Sequence, residues 1–192
     1  MEKETGQIVT FVGKGGSGKT TQIRRALHEP GFRLIPSVTT RPPRDNELAG
    51  EYRYYSAEAY QQLVVTPGRL LWDVIAGNGG NHYGKDAQDI EYALAHPEAV
   101  HLNALVPSSA QTLVDIYGPD QVRTIYLPDP GNEILLQRMI ERGDNPAKAA
   151  ERLNQEDNDG WEEQTLAIAG LHIVQNTGVE SRHQEIMALL GR

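Results

Sequence analysis

The sequence predicts an α/β fold: a mainly parallel sheet core covered on both faces, with a small inserted lobe and a lid. Three observations point there. Short apolar runs alternate with helix-like stretches along most of the chain. A glycine-rich turn joins the first apolar run to the first helical pattern. The length, 192 residues, suits one domain with a sizeable core.

Ile8 to Val12 is apolar and partly β-branched, as a buried strand is. Ile23, Ala26 and Leu27 then recur at helical spacing up to Pro30. Val100 to Val106 forms a second core strand ended by Pro107, and Ser108 and Ser109 are placed to cap a helix running to about Tyr117. Gly118-Pro119 breaks that helix, and Val122 to Leu127 is a third strand, stopped by Pro128. Ile134, Leu135, Arg138 and Met139 begin another helix that stops near Gly143. Leu171 to Val174 reads as a last strand and Ile186 to Leu190 as a final helix. Two stretches break the alternation. Val38 to Tyr83 is rich in Tyr, Arg and Gly, with one helix, Ala57 to Val65, and a hairpin signal at Gly77-Asn78-Gly79-Gly80. Gly143 to Gly160 is polar, with Pro146 placed to open a helix. The expected division is a core of 1–37, 84–142 and 161–192, a lobe of 38–83 and a lid of 143–160.

Composition narrows the partners. Hydrophobic residues make up 39% and charged residues 23%, which fits a soluble globular chain. There is no cysteine, so disulfides and thiolate metal sites are excluded, in keeping with a reducing cytoplasm. No apolar run is long enough to span a bilayer, and Met1 to Glu4 lacks a signal-peptide core. A net charge of −8 argues against broad nucleic-acid or anionic-membrane binding. The six histidines are scattered without ligand spacing. Small-molecule partners and a monomer or homodimer are expected.

Gly13-Lys14-Gly15-Gly16-Ser17-Gly18-Lys19-Thr20 fits the pattern G-x-x-x-x-G-K-[ST] in full, between a strand and a helix as that motif requires. Glycines let several N–H groups point at one anion, and the helix N-terminus adds a positive field. This loop, with Thr21 beside it, is the expected ATP site. Lys19 is placed to reach the β- and γ-phosphates and the Thr20 hydroxyl to sit on Mg²⁺. A second signature is Ser37-Val38-Thr39-Thr40-Arg41-Pro42-Pro43-Arg44, two arginines stiffened by prolines and able to fork onto phosphate oxygens. Glu51 to Ser56 follows with further hydroxyls.

With these motifs the chain resembles the guanylate kinases, P-loop nucleoside monophosphate kinases, from the loop to about Asn176. Ser37 to Arg44, Tyr52 to Ser56, Trp72, His82-Tyr83-Gly84, Arg138 to Gly143 and Arg152-Leu153 match in order. The resemblance implies that Arg41, Arg44, Tyr52 and Tyr83 hold an acceptor monophosphate, with Ser37 on the base side. It implies that Arg138, Arg142 and Arg152 clamp the ATP phosphates and that Asn176 lies near the adenine. Arg138 and Arg142, like charges at i and i+4, repel slightly unless they share an anion.

The departures cluster on the base side. The carboxylate that the family places before the Trp is Leu71, its D-x-D is Asn103-Ala104-Leu105, and its Ser or Thr after Tyr-Gly is Lys85. A leucine accepts no hydrogen bond, and a buried donor left unpaired costs about 1–3 kcal/mol. Altered or relaxed base specificity is therefore expected. Asp73, two residues from Leu71 and on one face with it if the strand is regular, either takes over the missing carboxylate or is a surface aspartate. Three rivals stand beside this. Lys14 resembles the second lysine of partitioning-type ATPases, which reaches across a dimer. Asn103 resembles what ribose bisphosphate kinases carry at the end of the core strand. A scaffold domain that has lost catalysis would keep the fold but usually not the loop.

Overall fold

The computed structural model describes residues 6–44, 47–76, 80–175 and 178–192. In chain order the elements are β1 (Gln7–Val12), α1 (Lys19–Ala26), β2 (Phe32–Leu34), β3 (Ser37–Thr39), β4 (Tyr52–Tyr54), α2 (Ala57–Val65), β5 (Leu70–Ala76), β6 (Asn81–Asp86) and α3 (Ala87–Ala95). Then come β7 (Val100–Ala104), α4 (Pro107–Tyr117), β8 (Val122–Tyr126), α5 (Asn132–Glu141), α6 (Pro146–Asn158), α7 (Trp161–Leu166), β9 (Leu171–Ile173) and α8 (Val179–Leu189).

Alternation along β1 decides the layering. Ile8, Val9, Phe11 and Val12 are all fully buried, and consecutive side chains point to opposite faces. Val9 and Phe11 join Ile23, Ala26, Ile186 and Leu190 under α1 and α8. Ile8 and Val12 join Ile90, Ala93, Leu113 and Val114 under α3 and α4. A strand buried on both faces is what a parallel sheet demands. The sheet has the order β2-β7-β1-β8-β9, and every pairing in it is parallel. β1 is the central strand, so the glycine loop that leaves it opens at the C-terminal edge of the sheet, where such folds bind ligands.

A second sheet, β4-β3-β6-β5, runs from Ser37 to Asp86. β3 pairs parallel with β4, and the remaining pairings are antiparallel. α2 has the expected bounds and is capped by the Ser56 hydroxyl, which accepts the Ala59 N–H at 3.2 Å. Over the C-terminal edge of the first sheet, Leu135 and Met139 of α5 pack on Ala149 and Leu153 of α6. α6 opens at Pro146 as expected, capped by Asn145.

Some elements differ from the sequence reading. β7 stops at Ala104, short of the expected Val106, and Pro107 occupies the first turn of α4 with Val106 at the cap, so Ser108 and Ser109 lie inside the helix. β2 is three residues long with an exposed Arg33 at its centre, too short for a pattern. α3 is started by Asp86, whose carboxylate accepts the Gln88 N–H. Among the described residues no helix is long and apolar enough to cross a membrane.

The second sheet closes tightly at Gly84. A Cβ there would lie 2.7 Å from the Tyr60 hydroxyl and 2.9 Å from the Trp72 carbonyl oxygen. Gly84→Ala should destabilise the protein by about 1–3 kcal/mol, read as a lower urea midpoint at unchanged m-value. An unchanged midpoint would mean that this approach is not tight.

Candidate active site

The glycine loop bends because its sequence lets it. Gly16 and Gly18 have φ of +79° and +100°, the left-handed region that glycine enters without strain. A Cβ on Gly16 would sit 2.8 Å from the Leu135 carbonyl oxygen, so α5 presses directly on the loop. From behind, Arg182 of α8 donates to the Ser17 carbonyl oxygen at 2.7 Å. Lys19 folds back over the loop and donates to the carbonyl oxygens of Gly13 at 2.5 Å and Lys14 at 2.9 Å. Burial, with Arg152 and Arg142 nearby, pushes its pKa down to about 8. Thr20 and Thr21 open α1.

The three predicted arginines gather on this loop. Arg138 reaches the Gly16 carbonyl oxygen at 3.4 Å. Arg142, at the end of α5, pairs with Asp144. Arg152 lies against Gly15, where a Cβ would come within 3.3 Å of its Nε. Sequence reasoning missed what holds Arg152 there. Glu156 is buried, accepts the Arg152 Nε–H at 2.7 Å through Oε1, and accepts the Gly15 N–H at 2.9 Å through Oε2. Its i, i+4 spacing from Arg152 was the available signal.

Lys14 is fixed within its own chain. Its ammonium pairs with Asp129 at 2.5 Å and with Asp157 of α6. Burial opposes the charge, but the two carboxylates outweigh it and hold the pKa above the ordinary lysine range. A lysine tied down in this way is not extended toward a second copy, which corrects the dimeric-switch expectation.

The second sheet carries the other cluster. Arg41 is buried, with its guanidinium 5.1 Å from the centre of the Tyr52 ring, and Tyr83 packs edge-on to Tyr52. Arg41 donates to the Pro42 carbonyl oxygen at 2.7 Å and pairs with Glu47, which also accepts from Tyr54. Arg44 is exposed, and its N–H donates to Glu47 at 3.2 Å. Burial raises the pKa of Glu51, which feels both Arg41 and Lys19. Burial likewise pushes the Tyr52 phenol up to about 12.

Asp73 is a correction. β5 bulges between Leu70, which pairs with Asp86, and Asp73, which pairs with Gly84. The extra residue breaks the alternation between Leu70 and Asp73 and puts Asp73 on the face of Gly84 rather than that of Tyr83. The Asp73 carboxylate accepts from Tyr60 at 3.0 Å and meets His82 at 2.9 Å. His82 and Tyr83 point to opposite faces, so Asp73 is turned away from Tyr83 and takes no part in this cluster. Asn103 lies in the first sheet, buried, with its amide donating to Val9 and Thr10 of β1. Among the described residues its Oδ1 is buried without a partner, as is Ser17 Oγ. Asn176 and the signal at Gly77–Gly79 lie outside the described residues.

A polyphosphate fits the loop: a desolvated ammonium crowded by guanidinium groups needs an anion. Among the described residues no group of three His, Asp or Glu side chains is placed to hold a metal. A divalent cation here would depend on Thr20 and on the phosphates themselves, the usual habit of Mg²⁺.

No family profile matches the chain. Individual relatives do. It is 30% identical to the guanylate kinase of Gloeobacter violaceus over 155 residues, covering 76% of this chain and 69% of that one. It is 33% identical to that of Symbiobacterium thermophilum over 154 residues, covering 79% and 70%. With that of Synechococcus sp. it shares 32% over 188 residues, covering 96% and 82%. The crystal structure of guanylate kinase from Anaplasma phagocytophilum superposes with a TM-score of 0.66 at 21% identity, covering all of this chain and 87% of that one. The loop, the arginines around it and these relatives together place the chain in the guanylate kinase family of P-loop nucleoside monophosphate kinases.

Proposed function

We propose that the protein transfers the γ-phosphoryl group of ATP, with Mg²⁺, to a (deoxy)nucleoside monophosphate, and that its base preference departs from that of its relatives. The observation that carries this reading is Glu51, which stands within electrostatic reach of both Lys19 and Arg41. Two cationic clusters near enough to act on one carboxylate suit two phosphates that must meet.

The loop from Gly13 to Thr21 binds the nucleotide, and Lys19 and Thr20 face its outer phosphates and the cation. ATP and Mg²⁺ supply the phosphoryl group and neutralise its leaving oxygens. Arg138, Arg142 and Arg152 balance the charge on the moving group, an electrostatic role that requires no general base. Arg41 and Tyr52 hold the acceptor phosphate, with Tyr83 behind them and Arg44 swinging in from solvent. Ser37 lies farther along the same sheet face. Residues 38–83 act as the acceptor lobe and 143–160 as a lid that expels water over the core. Asn103, expected on the acceptor side, is buried beside β1 with its amide on Val9 and Thr10.

A coupled assay of ATP and Mg²⁺ against all common nucleoside monophosphates and ribose phosphates tests this. Transfer to at least one nucleoside monophosphate is expected, with ATP nearly untouched when no acceptor is present. Lys19→Met should lower kcat by about 10²–10³-fold. Arg41→Met should raise the acceptor KM about ten- to hundredfold, the size of a lost charged hydrogen bond. Vigorous hydrolysis without an acceptor, or transfer to ribose phosphates alone, would overturn the proposal.

Lys19 yields a second prediction. A lysine in an unfolded chain titrates near 10.4, and here burial lowers the folded value to about 8. Between the two, the unfolded chain binds more protons, so Lys19 makes stability rise with pH across that window. A bound polyphosphate reverses the shift. ATP binding at pH 8.5, followed by calorimetry in buffers of different ionisation enthalpy, should therefore take up a substantial fraction of a proton. No uptake would mean that Lys19 is already fully charged in the free protein.

A further inference from the structure

Side chains opposite one another in register share a face, so Ser37 and Thr39 of β3 lie on one side of the second sheet with Tyr52, Tyr54, Tyr83 and Lys85. The other side carries Val38, His82 and Asp73 against α2. The first face has a cationic site at each end. Arg41, over Tyr52, is one. Lys85 is the other, two residues along β6 from Tyr83, a step of about 6–7 Å. That separation is on the scale of a nucleotide, from its phosphate to its base.

Lys85 is fully buried, and no carboxylate among the described residues pairs with it. Its Nζ donates to the carbonyl oxygens of Pro36 at 2.9 Å and Ile35 at 3.3 Å, and to Ser37 Oγ at 3.1 Å. An ammonium has three N–H groups and no lone pair, so all three are engaged. Ser37 Oγ must accept from Lys85, and its single hydrogen is left for something else. Among the described residues it has no acceptor.

We infer that Lys85 fixes the Ser37 hydroxyl as a hydrogen-bond donor, so that the acceptor site selects nucleoside monophosphates whose base presents a carbonyl oxygen over those that present an amino group. This rests on the proposed acceptor site at Arg41. Lys85 is a positioning residue, acting through Ser37. A carbonyl oxygen accepts the Ser37 hydrogen, whereas an exocyclic amino group brings hydrogen against hydrogen. Guanine, hypoxanthine, uracil and thymine fall in the first class, and adenine and cytosine in the second.

The inference also has a pH signature. Burial pushes the Lys85 pKa down to about 7. Asp89 and Glu51 support its charge from α3 and from the segment before β4, and Arg53 of β4 opposes it. A neutral amine has only two N–H groups, which the two carbonyl oxygens hold, and its lone pair then takes the Ser37 hydrogen. The donor is lost to the base as pH rises through about 7 and beyond.

The test is kcat/KM for GMP, IMP, UMP and dTMP against AMP and CMP at pH 6 and pH 9, for the intact protein, Lys85→Met and Ser37→Ala. The intact protein should favour carbonyl bases over amino bases of the same ring size by about tenfold at pH 6, and by much less at pH 9. Each variant should bring the ratio near one at both pH values, and the double variant should add nothing. The phosphate and the catalytic groups are common to both substrates, so their titration cancels in the ratio. A preference for amino bases, or one that survives in Ser37→Ala, overturns the inference even if Lys85→Met fails to fold. Transfer to no nucleoside monophosphate at all is a different outcome: it removes the proposed function, and this inference with it.

Discussion

Everything at this site depends on one constraint: a half-buried ammonium is crowded by guanidinium groups at the end of the central strand. Lys19 lies on the glycine loop with Arg152 and Arg142 close by, and burial already works against its charge. Such a concentration of positive charge is unfavourable unless something negative accompanies it. The free protein meets this with its own carboxylates. Glu156 caps the Gly15 N–H and pairs with Arg152, while Asp129 and Asp157 hold Lys14. Two of these three acids are on α6. The helix is thus fastened to the loop by charge, and by Leu153 and Ala149 packing on α5.

The same arrangement recurs on the second sheet at smaller scale. Arg41 is buried under Tyr52, and Glu47 pairs with it while also receiving the Tyr54 hydroxyl. Each cationic cluster is therefore occupied by a carboxylate of the chain itself. Burial raises the pKa of Glu51, which feels the charges of both Arg41 and Lys19. The positions that two phosphates would take are marked, in the free protein, by acids that must give way.

The strand and the glycine loop were legible because each is a local pattern whose chemistry needs those residue types in that order, while the arginines that surround the loop were implied by the family resemblance. The proposed acceptor site was half legible. Arg41 and Tyr52 meet as expected, but the bulge in β5 sends Asp73 to the far face, and a bulge leaves no mark in a run such as Leu70 to Ala76. Lys85 was visible as a departure, yet its complete burial was not, since nothing local says that two backbone carbonyl groups will receive it. Glu156 looks like any acid on a solvated helix. Its role follows only from α6 crossing the loop, a tertiary fact. The cap of α4 was misread because Pro107, taken as a strand breaker, is itself the first residue of the helix.

The carboxylates change what binding means here. The chain as a whole carries a net charge of −8, so at long range it does not attract a polyanion. Screening limits that repulsion to about 8 Å at physiological salt, and inside that distance the local cations dominate. Lys14, Arg41, Arg142 and Arg152 are already paired with acids, however, so a phosphate that meets one of these gains only the difference between its own interactions and those of the acid that it displaces. Electrostatic attraction alone then discriminates poorly between anions. What a phosphate has and a carboxylate lacks is a third terminal oxygen and a second charge, able to engage Lys19 and the arginines together. Geometry around the loop, rather than its positive charge, is what separates a nucleotide from the acids that stand in its place.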